Sequence, residues 1–123
     1  MSQKLLTSLE LKVMNLLWDQ EQAFVKELIE AWEESPKPAY NTISTVVRIL
    51  EEKEYVSHKA FGRSYQYFPI VSRADYQKRH VRNVLQNVFA GSVSTMISTL
   101  VDNEDLSSGE MDDLRRMIDE FEE

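Results

Sequence analysis

A mainly α fold is predicted for this 123-residue sequence: a winged helix-turn-helix (three helices plus a β-hairpin wing) followed by a three-helix dimerisation region. Three observations predict it. Only three Gly and three Pro punctuate the chain, so long helices should dominate. Apolar residues recur at helical spacing in three successive N-terminal segments, then at a spacing of two across residues 55–70. The remaining 50 or so residues return to a narrow helical stripe with no β partner.

The elements follow in order. Thr7 and Glu10 form a capping-box pattern ahead of Leu9, Val13, Leu16 and Leu17, which opens the first helix. "DQEQA" breaks it, and Val25, Leu28, Ile29 and Trp32 share one face of a second helix. "ESPKPAY" is a loop, because Pro36 and Pro38 do not belong inside a helix. A third helix carries Ile43, Val46, Val47 and Leu50 at i, i+3, i+4 and i+7. "YVSHKAFGRSYQYFPI" then holds two short aromatic and β-branched runs around Phe61-Gly62-Arg63, a hairpin pattern. Ser72 and Asp75 can cap a fourth helix running to about Phe89, Gly91 marks a break, and "SVSTMISTLV" supplies a fifth. Ser107 and Glu110 form an S-x-x-E box before a sixth, with Met111, Leu114, Met117, Ile118 and Phe121. The expected domains are 1–71, DNA-binding, and 72–123, dimerisation.

Charge looks at first like an argument against nucleic acid, with a formal net of -7. Its distribution removes the argument. Residues 102–123 hold two basic and ten acidic side chains, whereas residues 1–70 hold 8 basic against 10 acidic and residues 71–101 are net positive. The acidity sits in the last 22 residues, and the rest is close to neutral.

The third helix is where function is legible. From Ala39 to Leu50 there is no Asp or Glu. At 100° per residue, Ile43, Val46, Val47 and Leu50 fall within about 100° of one another, which is a core-facing stripe. Opposite them lie Asn41, Ser44, Thr45 and Arg48. Those types suit a major groove: Asn pairs with adenine, Ser and Thr with base edges, Arg with guanine or phosphate. An acid there would be repelled by phosphate. In a helix-turn-helix, the N-terminal part of the second helix of the motif meets the bases. For a single Thr or Ser the plain solvated-face reading would win; for the whole acid-free face, DNA reading is favoured. The candidate contact set is Tyr40, Asn41, Thr42, Ser44, Thr45 and Arg48, with Lys59 and Arg63 on the hairpin reaching phosphates. Tyr55, Tyr65, Tyr67 and Phe68 read as wing packing.

Other chemistries find no support. There is no cysteine, so thiolate metal sites, disulfides and thiol catalysis are excluded. His58 and His80 lie in different segments without companion ligands at metal spacing, and are read as surface or wing residues. Glu33-Glu34 and Asp112-Asp113 are adjacent on helices, so each pair diverges by about 100° and is solvated charge. No Gly-rich phosphate loop or nucleophile elbow occurs. No enzyme, cofactor or metal is expected. The N-terminus lacks an apolar signal core and no run approaches the ~20 residues that span a bilayer, so no direct membrane insertion and a cytoplasmic location are expected.

Four stretches resemble the penicillinase repressor (BlaI/MecI) family: "LTSLELKVMNLLW", "NTISTVVRILEEKEYVSHK", "GRSYQYFPIVSRADY" and "LVDNEDLSSGEMDDLRRMI". Together they cover nearly the whole chain. The resemblance implies a homodimeric winged-helix repressor on a palindromic operator in double-stranded DNA, of the kind that regulates antibiotic resistance. It also implies a membrane sensor protease that cuts the dimerisation region to release the DNA. The family's Asn-Phe cut site corresponds to Thr99-Leu100 here. Ala39 and Tyr40 stand where the family often has Ser then Pro, and Phe24 where it often has a capping Thr. Related copper-responsive members carry a C-terminal cysteine cluster, which this chain lacks.

A region as small as 72–123 would hardly bury enough surface alone. It is expected to pack against a second copy through Met96, Ile97, Leu100, Val101, Leu106, Leu114, Met117, Ile118 and Phe121. Two other readings stay open at this point: a winged helix used for protein contact, with the acidic last helix as docking surface, and a repressor released by a small ligand without proteolysis.

Overall fold

The computed structural model describes residues 5–102 and 106–121, the side chain of Phe121 excepted. Helix α1, Ser8–Gln20, starts where Thr7 Oγ1 accepts the Glu10 N–H at 3.2 Å and Glu10 Oε1 accepts the Thr7 N–H at 2.9 Å. Both halves of the expected capping box are therefore made. Strand β1, Ala23–Phe24, leads into α2, Val25–Glu30, and α3 spans Tyr40–Glu52. The wing is β2, Val56–Phe61, and β3, Ser64–Pro69, paired antiparallel with Phe61 opposite Ser64. Gly62 opens the two-residue turn at φ 64°, a conformation glycine adopts without a Cβ penalty.

The expected winged helix is present, with one element the linear reading missed. Strand β1 adds to the outer side of β3, with Ala23 opposite Tyr67 and Phe24 opposite Gln66, in the sheet order β1-β3-β2. Two residues are too short for alternation to register, so only the tertiary pairing reveals them.

The core of the first three helices and the wing forms as their spacing required, with one correction. Ile43, Val46, Val47 and Leu50 are all buried, as are Val25 and Leu28, while Ile29 and Trp32 pack at the margin. In α1 the buried stripe is Glu10, Val13, Met14 and Leu17, and Leu9 is exposed. The helix is turned by about one position from the Leu9 stripe because Glu10 is drawn inward. Its Oε1 receives the Lys53 ammonium at 2.7 Å as well as the Thr7 amide, which joins the start of α1 to the end of α3. Burial pushes the Glu10 carboxyl up, but Lys53 and the Thr7 hydrogen bonds outweigh it and hold the carboxyl below its ordinary value.

Helix α3 ends in a left-handed turn at Glu54, φ 68°. There the Tyr55 N–H reaches the Leu50 carbonyl at 2.9 Å and the Glu54 N–H the Glu51 carbonyl at 3.0 Å. This is a Schellman-type stop, and it aims the chain straight into β2.

Helix α4, Arg73–Asn87, begins where Ser72 Oγ accepts the Asp75 N–H at 3.0 Å. Helices α5, Val93–Asp102, and α6, Ser108–Phe121, follow. Ser107 and Glu110 cap α6 reciprocally at 3.1 and 2.9 Å. The chain divides into two compact units, Met1–Lys78 and Arg79–Glu123. The break drawn from sequence after residue 71 follows a change of element, whereas this division falls later because the opening turns of α4 pack on the first unit. Tyr76 is buried against Trp18 and Tyr55, Trp18 Nε1 donates to the Val71 carbonyl at 2.9 Å, and Arg73 donates to Asp19 at 2.8 Å.

The second unit differs in kind. Among the described residues none of its side chains is buried. Leu100, Leu106, Leu114 and Met117 line a shallow apolar recess of about 250 Å³ shared by α5 and α6. Met96, Ile97 and Val101 are half-buried, Ile118 is exposed, and the Phe121 side chain lies outside the described residues. Among the described residues no helix is long and apolar enough to cross a membrane.

Candidate nucleic-acid interface

Burying Ile43, Val46, Val47 and Leu50 fixes how α3 is rotated, so the opposite face must look outward. Tyr40, Asn41, Thr42, Thr45 and Arg48 are exposed and Ser44 is half-buried. An Arg48 guanidinium nitrogen lies 3.3 Å from Thr45 Oγ1, so the cation rests along the face. No acidic residue occupies the first turn of α3. Ala39 caps it without a side-chain hydrogen bond, so its first amides keep the partial positive end of the helix uncovered. The cap that the sequence lacks is a cap that the structure does not replace.

The wing is set against α3 by the aromatic packing the linear reading gave Tyr65 and Tyr67, and by one contact it did not assign. His58, expected to be an ordinary wing residue, donates through Nδ1 to the Glu51 carboxylate of α3, 2.9 Å from each oxygen. The same ring stacks on Tyr65 with centroids 4.2 Å apart. Burial raises the Tyr67 phenol above its ordinary value, Glu51 adds to the rise and Arg48 opposes it. His58, Tyr65 and Tyr67 thus form the side of the hairpin that faces α3. The available sequence signal was parity: His58 and Tyr67 are directly paired, and Tyr65 is two residues away.

Parity also separates the two wing cations. Arg63 is exposed in the turn beyond Phe61. Lys59 stands on the opposite face of β2 from His58, in a recess with Glu21, Gln22 and Phe68. The structure therefore brings Asn41, Thr45 and Arg48 together on the side of α3 opposite its core stripe, leaves Tyr40 and Thr42 exposed at its margins, and sets Lys59 apart from them. Among the described residues no group of three His, Asp or Glu side chains is placed to hold a metal ion.

The family profile described as "Penicillinase repressor" matches residues 6–120. The methicillin resistance regulatory protein MecI of Staphylococcus aureus (strain N315) is 26% identical over 113 residues, which cover 92% of each chain. The penicillinase repressor of Bacillus licheniformis is 25% identical over 111 residues, 90% of this chain and 87% of that one. In structure, the chain is similar to the DNA binding domain of the repressor BlaI, solved in solution. The TM-score is 0.52 and the identity 26%, over 61% of this chain and 94% of that domain.

Proposed function

The chain belongs to the penicillinase repressor family, and from that premise we propose that it is a DNA-binding transcriptional repressor that holds a palindromic operator as a homodimer. One observation carries the reading: from Tyr40 to Arg48 the outward side of α3 presents an amide, hydroxyls and a guanidinium, without a carboxylate, in a chain with 21 Asp and Glu. Each α3 enters a major groove, with Asn41, Thr42, Ser44 and Thr45 toward base edges and Arg48 toward a guanine or a phosphate. Tyr40 and Arg63 meet the backbone on either side. Lys59, facing away from α3, adds only general positive charge.

The second unit supports the dimer part of the proposal, because its apolar stripe is at most half-buried within one chain and Leu100, Met117 and Ile118 are exposed. A two-fold axis through that stripe would set the half-sites one or two helical turns apart. Release by a sensor protease belongs to the same proposal. Thr99 and Leu100 lie inside α5, so a cut between them requires the end of that helix to unwind first.

The test is duplex binding to DNA upstream of the protein's own gene, followed by fluorescence anisotropy across a range of salt. Asn41→Ala and Thr45→Ala should each cost about 1–3 kcal/mol at one base pair per half-site. If binding is insensitive to salt, or neither change alters base preference, the assignment of α3 is wrong.

A further inference from the structure

Three exposed aromatic rings of the first unit, Tyr40, Phe61 and Tyr65, surround one recess of about 320 Å³ at the mouth of the reading face. Its other walls include Phe24 and Lys26 at the start of α2 and Ser64 at the wing turn. Phe24 and Phe61 meet edge to face at 5.7 Å, which ties the wing tip to α2 and still leaves Phe61 54% exposed. No carboxylate lines this recess, whereas three other recesses each include at least one: Asp19, Glu33 and Glu34 in the first, Glu21 in the second, Glu110 and Asp113 in the third. Glu27, next to Lys26, turns back to accept the Phe24 N–H at 2.8 Å. Lys26 is therefore the charged group that the recess presents.

From this we infer that the recess seats one sugar-phosphate strand of the operator, with Lys26 taking a phosphate and Phe61 and Tyr40 packing on the adjoining deoxyribose. The inference rests on α3 lying in a major groove. A helix about 10–12 Å across fills a groove about 12 Å wide, so a backbone wall must run beside its N-terminal end. Tyr40 is the first residue of α3, and the recess opens there. A sugar ring offers apolar faces and its phosphate a negative charge, and the walls offer the complement of both. Such contacts position the duplex and carry no base choice of their own.

Lys26→Gln tests this without threatening the fold, since Lys26 is exposed. Without the charge that neutralises one phosphate in each half-site, the slope of log affinity against log salt for the dimer should fall by about 1.8, about thirtyfold in affinity near 0.15 M salt, on operator and unrelated duplex alike. Phe61→Ala should weaken dimer binding to both duplexes by about fifteenfold, the equivalent of one buried methylene in each half-site, with the salt slope unchanged. In a hydroxyl-radical footprint on the operator, Phe61→Ala should expose one deoxyribose per half-site that the unmodified protein protects. An unchanged slope with Lys26→Gln, or an unchanged footprint with Phe61→Ala, overturns the inference. If the unmodified protein still binds duplex and Asn41→Ala still shifts base preference, only the recess assignment falls. If no duplex is bound at all, the reading of α3 falls with it.

Discussion

Among the described residues, fifteen apolar side chains are buried in the unit Met1–Lys78, drawn from the first three helices, the sheet, the first turn of α4 and the segments beside them, whereas in Arg79–Glu123 none reaches that state. Both regions are built from amphipathic helices, and each holds a reciprocal capping box, Thr7 with Glu10 in the first and Ser107 with Glu110 in the second. The difference is what those helices face. In the first, α1 and α2 pack on α3, and α1 packs on β3, so each apolar stripe finds another in the same chain. In the second, Val81, Val88, Leu100, Met117 and Ile118 stay exposed. Helix formation is thus separable from burial: capping and periodicity make a helix, but only a partner surface gives it a core.

The sharpest way to break that comparison is at Ile118. Ile118→Asp should convert the proposed dimer to monomer in sedimentation equilibrium and weaken operator binding, with the first unit still folded by near-UV circular dichroism. A variant that stays dimeric at micromolar concentration would remove the second unit's claim on a partner copy.

The corresponding insult to the first unit is Leu50→Ala. Leu50 is fully buried, so the change should cost about 2–5 kcal/mol in urea denaturation and abolish DNA binding through loss of fold.

Next in size is the ion pair inside the first unit. Glu10→Gln removes the charge that holds Lys53 and weakens the Thr7 cap, for an expected loss of about 1.5–3 kcal/mol. Because the folded carboxyl lies below its ordinary value, its contribution is fully present above the unfolded glutamate pKa of about 4.3. It is lost as pH falls from there through the lowered folded value. Acid titration of the unmodified protein should show this loss of stability, and Glu10→Gln should flatten the profile in that window.

The smallest expected effect is at Glu54, which holds φ 68° at the end of α3. Glu54→Gly should stabilise by up to about 1 kcal/mol, because glycine takes a left-handed conformation without a Cβ clash. A loss of thermal stability would mean that Glu54's side chain matters more than its backbone angle.

Much of this molecule was legible without coordinates. The capping boxes at Thr7 and Ser107 read correctly because they depend on residues three apart, and the stripe of α3 because four β-branched or leucine positions agree on one face. The hairpin read correctly because Gly62 sits between two alternating runs. Leu9 read wrongly, since local periodicity could not reveal that Lys53, 43 residues away, would draw Glu10 inward. For the candidate interface, the residue types on α3 were visible in the linear chain. Lys26 and Phe61 were not, because nothing local places the start of α2 beside the wing tip.

The sequence by itself therefore determined where helices and turns form and which stretch of α3 is free of acid, since those depend on short-range periodicity and local hydrogen bonding. Tertiary structure decided the rest. It paired Ala23–Phe24 with β3, turned α1 by a position, fixed the wing against α3 through Glu51 and His58, and assembled the aromatic recess. Each of these joins groups distant in the chain, and such contacts exist only once the intervening core has closed around them.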